Sequence, residues 1–83
     1  METMEKLKDA LDDLDKKIET LGREARDEWQ GKVRDLKEKR DDLKRRFEAA
    51  REGGEDALGR AKDDFKKGLA DLRAAYQNLR DRM

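Results

Sequence analysis

The feature that most constrains this chain is the spacing of its apolar residues near the start. Met4, Leu7, Leu11, Leu14, Ile18 and Leu21 follow one another at alternating steps of three and four, and Ala25 continues the series. That is the heptad pattern, which sets one narrow apolar stripe along a helix for burial against another helix. Strict continuation would place Glu28, Lys32, Asp35 and Lys39 on the stripe. One extra step of four restores it through Trp29, Val33, Leu36, Arg40, Leu43, Phe47 and Ala50. The pattern therefore contains a stutter near residues 25–33, which locally unwinds a supercoil.

Composition sharpens this reading. Of 83 residues, 53% are charged and 34% hydrophobic, and there is no proline. So charged a chain suits a thin apolar seam between long helices better than a round core, and no proline ring interrupts them. Gly53 and Gly54 are the strongest break. Two glycines inside a helix cost about 2 kcal/mol relative to alanine, whereas glycine suits the position just past a helix end. Lys44, Arg45, Arg46 and Arg51 precede the pair, and Glu55 and Asp56 follow it, as helix dipoles favour. A second stripe follows through Leu58, Ala61, Phe65, Leu69, Leu72, Tyr76, Leu79 and Met83.

These patterns predict one all-α domain over residues 1–83: an asymmetric antiparallel helical hairpin of coiled-coil type. Helix one runs over about 3–52, the turn is Gly53 and Gly54, and helix two covers about 55–82. The expected hairpin core is Trp29, Val33, Leu36, Leu43, Phe47, Leu58, Phe65, Leu72, Tyr76 and Leu79. In this register Phe47 faces Ala61, Leu43 faces Phe65, and Arg40 lies beside Leu69 with its stem packed. Helix one would be roughly 75 Å long at 1.5 Å per residue. Residues 4–21 would then have no partner in the chain, and such a helix gains most of its stability from packing. The expectation is self-association through Met4, Leu7, Leu11, Leu14, Ile18 and Leu21 into a dimer or larger helical bundle.

The residue types limit the chemistry. There is no His, Cys or Ser, and the side-chain hydroxyls are Thr3, Thr20 and Tyr76. An activated nucleophile with its base cannot be assembled, and transition-metal ligands of the imidazole or thiolate type are missing. No phosphate-cradling glycine motif occurs. The expectation is no enzyme, no catalytic residue, no cofactor and no metal. The basic stretch Lys37 to Arg46 and the pairs Asp12-Asp13, Asp41-Asp42 and Asp63-Asp64 read as solvated helix faces, and the acidic pairs lack an EF-hand spacing. Formal charges balance at 22 basic and 22 acidic, which argues against nucleic acid as partner. They balance unevenly: residues 1–31 hold six basic and ten acidic side chains, residues 32–52 nine and six. No apolar run is long enough to span a bilayer, and the N-terminus lacks signal-peptide features, so a cytoplasmic location is expected.

Four segments carry a family likeness: Leu14-Asp15-Lys16-Lys17-Ile18-Glu19-Thr20-Leu21, Arg34 to Asp42, Gly54-Glu55-Asp56-Ala57-Leu58, and Lys62-Asp63-Asp64-Phe65. With them the chain resembles the small bacterial coiled-coil proteins named after a cyanobacterial stress-response member. That family often has Trp where this chain has Leu58 and Phe65. The resemblance implies a cytoplasmic, stress-linked role and supplies no catalytic residues. The functional expectation is a non-catalytic scaffold that self-associates, with an unidentified protein partner as an addition. The alternatives are an organiser of a lipid, organelle or mineral surface, comparable to magnetosome accessory proteins, and a hydrophilic stress protectant.

Overall fold

The computed structural model describes residues 3–83. The described residues form three α-helices: α1, Met4–Glu24; α2, Gln30–Glu52; and α3, Glu55–Arg82. A short 3-10 turn, Asp27–Trp29, leads into α2. The helices run up, down and up. Lys8 of α1 lies over the ring of Phe47, Asp15 meets Arg40 and Lys44, and Gly22 faces Val33. Numbers that rise on α1 fall on α2, so these two are antiparallel. On α3 they rise together: Ala10 and Asp13 share a groove with Arg73, and Leu21 and Glu24 share one with Arg80.

Each boundary has a local cause. The Thr3 hydroxyl accepts from the Lys6 amide at 3.2 Å, which satisfies one of the free N–H groups that open α1. Ala25 (φ −70°, ψ 139°) and Arg26 (φ −70°, ψ 161°) leave helical geometry and turn the chain back. The side-chain amide of Gln30 donates to the carbonyls of Gly22 at 3.0 Å and Ala25 at 2.9 Å, so it occupies acceptors freed at the end of α1. Between α2 and α3 the chain reverses at Gly53 and Gly54. Gly54 has φ 89°, a conformation that costs an L-residue with a side chain about 1–2 kcal/mol.

The core is one cluster fed by all three helices. Leu11, Ile18, Val33, Phe65 and Leu72 are at most 1% exposed. Around them lie Met4, Leu7, Leu14 and Leu21 from α1, Leu36, Leu43 and Phe47 from α2, and Leu69, Tyr76 and Leu79 from α3.

This architecture corrects the expected hairpin. The protein measures 43 × 22 × 16 Å, and a continuous helix of about 50 residues would need roughly 75 Å. Helix one is broken at residues 25–29, and its first half folds back along α2 and α3. The fold is a three-helix bundle, and neither the coiled-coil nor the helical-hairpin description holds. Residues 4–21 are not a bare arm, because their seam fills the groove between the other two helices. The pairing of α2 with α3 also differs from the expected register. Phe47 meets Phe65 with ring centroids 6.1 Å apart, and Leu43 lies over Gly68.

Candidate interaction surfaces

The two sets of residues singled out by spacing meet in one core. Met4, Leu7, Leu11, Leu14, Ile18 and Leu21 are all buried within the chain. So are Val33, Leu36, Leu43, Phe47, Phe65, Leu72, Tyr76 and Leu79, while Trp29 and Leu58 are half-buried against the same cluster. Gly53 and Gly54 lie at the exposed end of the bundle. Among the described residues, Met83 is the one large hydrophobic side chain that stands exposed. Little apolar surface is left to offer, so the outer faces are polar.

Charge is distributed unequally over those faces. On the α1/α2 side it forms a connected network. The Arg40 guanidinium reaches Asp15 at 2.7 Å and also bonds Glu19 and Asp41, and Lys44 meets the other oxygen of Asp15 at 2.6 Å. Lys37 approaches Glu19 at 3.9 Å. The Arg40 side chain is largely covered, and its charge is spent on Asp15 and Glu19 of α1 and on Asp41 beside it. Burial by itself would raise the Asp15 carboxyl, but the hydrogen bond from Lys44 and the charge of Arg40 outweigh it and hold the group below its ordinary value. Burial likewise works against the Arg40 charge, and the carboxylates of Glu19, Asp41 and Asp15 reverse the balance and raise it.

The α1/α3 side is different. Two adjoining concavities of about 340 and 280 Å³ run along it and share Lys17 and Tyr76. Lys16, Thr20 and Arg80 line the first, Arg73 and Gln77 the second. A third hollow, of about 670 Å³, lies near the α2–α3 turn and is walled by Ala49, Ala50, Ala57, Ala61 and Phe65 between Arg46 and Arg60. Among the described residues, no group of three or more His, Cys, Asp or Glu is placed to hold a metal ion. The acidic pairs are distributed along the three helices. Among the same residues no helix is long and apolar enough to cross a membrane.

Spacing alone did not single out Gln30, whose amide bridges the α1 end, or the pairing of Asp15 with Arg40. One signal for the latter was present in the sequence. Arg40 occupies a seam position, and a charge there requires either a route to solvent or a partner. No family model, curated protein or solved structure matches the chain.

Proposed function

We propose that this chain is a non-catalytic interaction protein of the cytoplasm that self-associates by exchanging α1 between two copies. The observation that carries the reading is how α1 is held. Six apolar side chains dock it in the α2/α3 groove, and a link of five residues, 25–29, joins it to α2. The α1 of a second copy carries the same six side chains, so it fits that groove equally well. The α2 and α3 helices pack on each other more extensively than either packs on α1, which makes α1 the detachable element. The tethered α1 has the advantage of a high effective concentration. Exchange therefore favours concentrated protein, and the monomer is the dilute form. The absence of Ser, Cys and His supports the non-catalytic half of the reading.

Sedimentation velocity over a range of protein concentrations tests this, with wild type beside Arg26→Pro. Arg26 has φ −70° and is preceded by an extended Ala25, so a proline fits the closed link and stiffens it there. Wild type is expected to pass from monomer to dimer, while Arg26→Pro stays monomeric where wild type has dimerised. A wild type that stays monomeric throughout would refute self-association. Equal dimerisation of both proteins would place the contact on another surface.

A further inference from the structure

We infer that the groove between α1 and α3 is a binding site for a short acidic peptide segment of a partner protein. The argument starts from the cations there. Lys16, Lys17, Arg73 and Arg80 line the two adjoining concavities and carry no ion pair among the described residues. On the opposite side of α1, by contrast, Arg40, Lys44 and Lys37 are engaged with Asp15 and Glu19. The bundle thus neutralises one side of α1 and leaves the other positively charged. Leu14, Leu21 and the buried Tyr76 form the floor of the groove. An apolar floor beneath unpaired cations concentrates their field on an incoming anion.

The dimensions select the ligand. Arg73 and Arg80 lie seven residues apart on α3, a span of roughly 10 Å. An extended peptide advances about 3.3 Å per residue, so about four residues span that distance, and carboxylates on alternate residues repeat about every 7 Å along one side of it. Arginine forks donate paired hydrogen bonds to a carboxylate, and the Tyr76 hydroxyl can donate a further one. Asp13 and Glu24 also line the groove, and the chain has no net positive charge. A long polyanion such as nucleic acid would soon run from the cations onto acidic surface. A short carboxylate-bearing segment would not.

Fluorescence anisotropy with a fluorescein-labelled peptide of alternating glutamate and alanine, about ten residues long, tests the assignment at low and moderate salt. Saturable binding that weakens with salt is expected. The double variant Lys17→Glu/Arg80→Glu should lose roughly tenfold or more in affinity, and Tyr76→Phe a few-fold. Arg34→Glu/Arg45→Glu, which reverses two exposed charges on α2, should bind as wild type does. Lys17 and Arg80 are exposed, so a circular-dichroism melt close to wild type should accompany the loss. If that melt collapses, Lys17→Gln/Arg80→Gln replaces the double variant, with the same loss expected. Absence of saturable binding overturns the proposal, and so does an equal loss in the α2 variant. Tighter binding of an oligonucleotide of matched charge would overturn the choice of a peptide ligand.

Discussion

Arg40 on α2 holds Asp15 on α1 at 2.7 Å, with only 12% of the arginine side chain exposed and 21% of the aspartate. The pair links two helices that are separated by a chain reversal, and its arginine occupies a position that the restored spacing assigns to the apolar stripe. It is too well covered to behave as a surface ion pair, for which 0–1 kcal/mol is typical. It is also too open for the full penalty of an isolated buried charge. A double-mutant cycle with Arg40→Met and Asp15→Asn separates the pair from its surroundings. We expect Arg40→Met to destabilise the bundle by about 1–2 kcal/mol, because Asp15 keeps Lys44 as a partner. A coupling energy near 1 kcal/mol by urea unfolding would agree with the geometry, and a value near zero would not.

The same carboxylate makes stability depend on pH in one direction. Asp15 is held below its ordinary value in the folded chain, and the unfolded chain restores a value of about 3.9. Its contribution is therefore fully present above that pH and is lost as the pH falls toward the folded value. Wild type and Asp15→Asn should differ in urea midpoint near neutral pH and converge at acid pH, once the carboxyl is protonated in the folded chain as well. Trp29, the single tryptophan, is half-buried against the core at the α1–α2 link. Its fluorescence reports the link while circular dichroism reports the helices. A difference between the two proteins that stays constant down to low pH would contradict the assignment.

Leu11 separates the bundle from the hairpin. In a hairpin with a bare arm, Leu11→Ala would alter a solvent-facing side chain and change stability little. In the bundle Leu11 is fully buried, and Leu→Ala at such a site costs about 2–5 kcal/mol. A domain of this size has a total stability of about 4–12 kcal/mol, so the melting temperature should fall by about 10 °C or more. The milder Ile18→Val, also at a fully buried position, should cost about 0.5–1.5 kcal/mol. A thermal melt followed by circular dichroism reads both.

Much of the core could be read from spacing, because an apolar stripe keeps the same members whatever helix it packs against. Met4 to Leu21 form such a set, and the structure buries all six. The partner of the stripe could not be read in the same way. The break at residues 25–29 decides it, and Ala25, Arg26, Asp27, Glu28 and Trp29 include neither proline nor glycine. Arginine, alanine and glutamate there favour helix locally, so tertiary packing overrides propensity at this point. The stutter between Ala25 and Val33, flanked by the helix-weakening Gly22 and Gly31, was the sign of the break. It is equally compatible with a smooth unwinding of the helix. The side chain that stabilises the reversal, Gln30, acts through carbonyls five and eight residues earlier in the chain, a relationship that helical periodicity does not encode. The α1/α3 groove depends on the same fold-back, since Lys17 and Arg80 have no neighbourhood in a hairpin whose second helix ends opposite residue 25.

The glycines of α3 give a last test, because two of them should respond to alanine with opposite signs. Gly59 lies inside α3 with nothing near the position a Cβ would take. Alanine there adds helix propensity without a contact to disturb, a gain of about 1 kcal/mol and roughly 4–8 °C in melting temperature. A Cβ on Gly68 would stand 2.6 Å from Cδ2 of Leu43. Leu43 is only 3% exposed, so its side chain has little free space to move into. Overpacking of this kind costs about 1–3 kcal/mol, which cancels or exceeds the propensity gain. Gly59→Ala should therefore melt above wild type and Gly68→Ala at or below it. If Gly68→Ala stabilised the protein as much as Gly59→Ala, α3 would not approach α2 as closely at Leu43 as this packing requires.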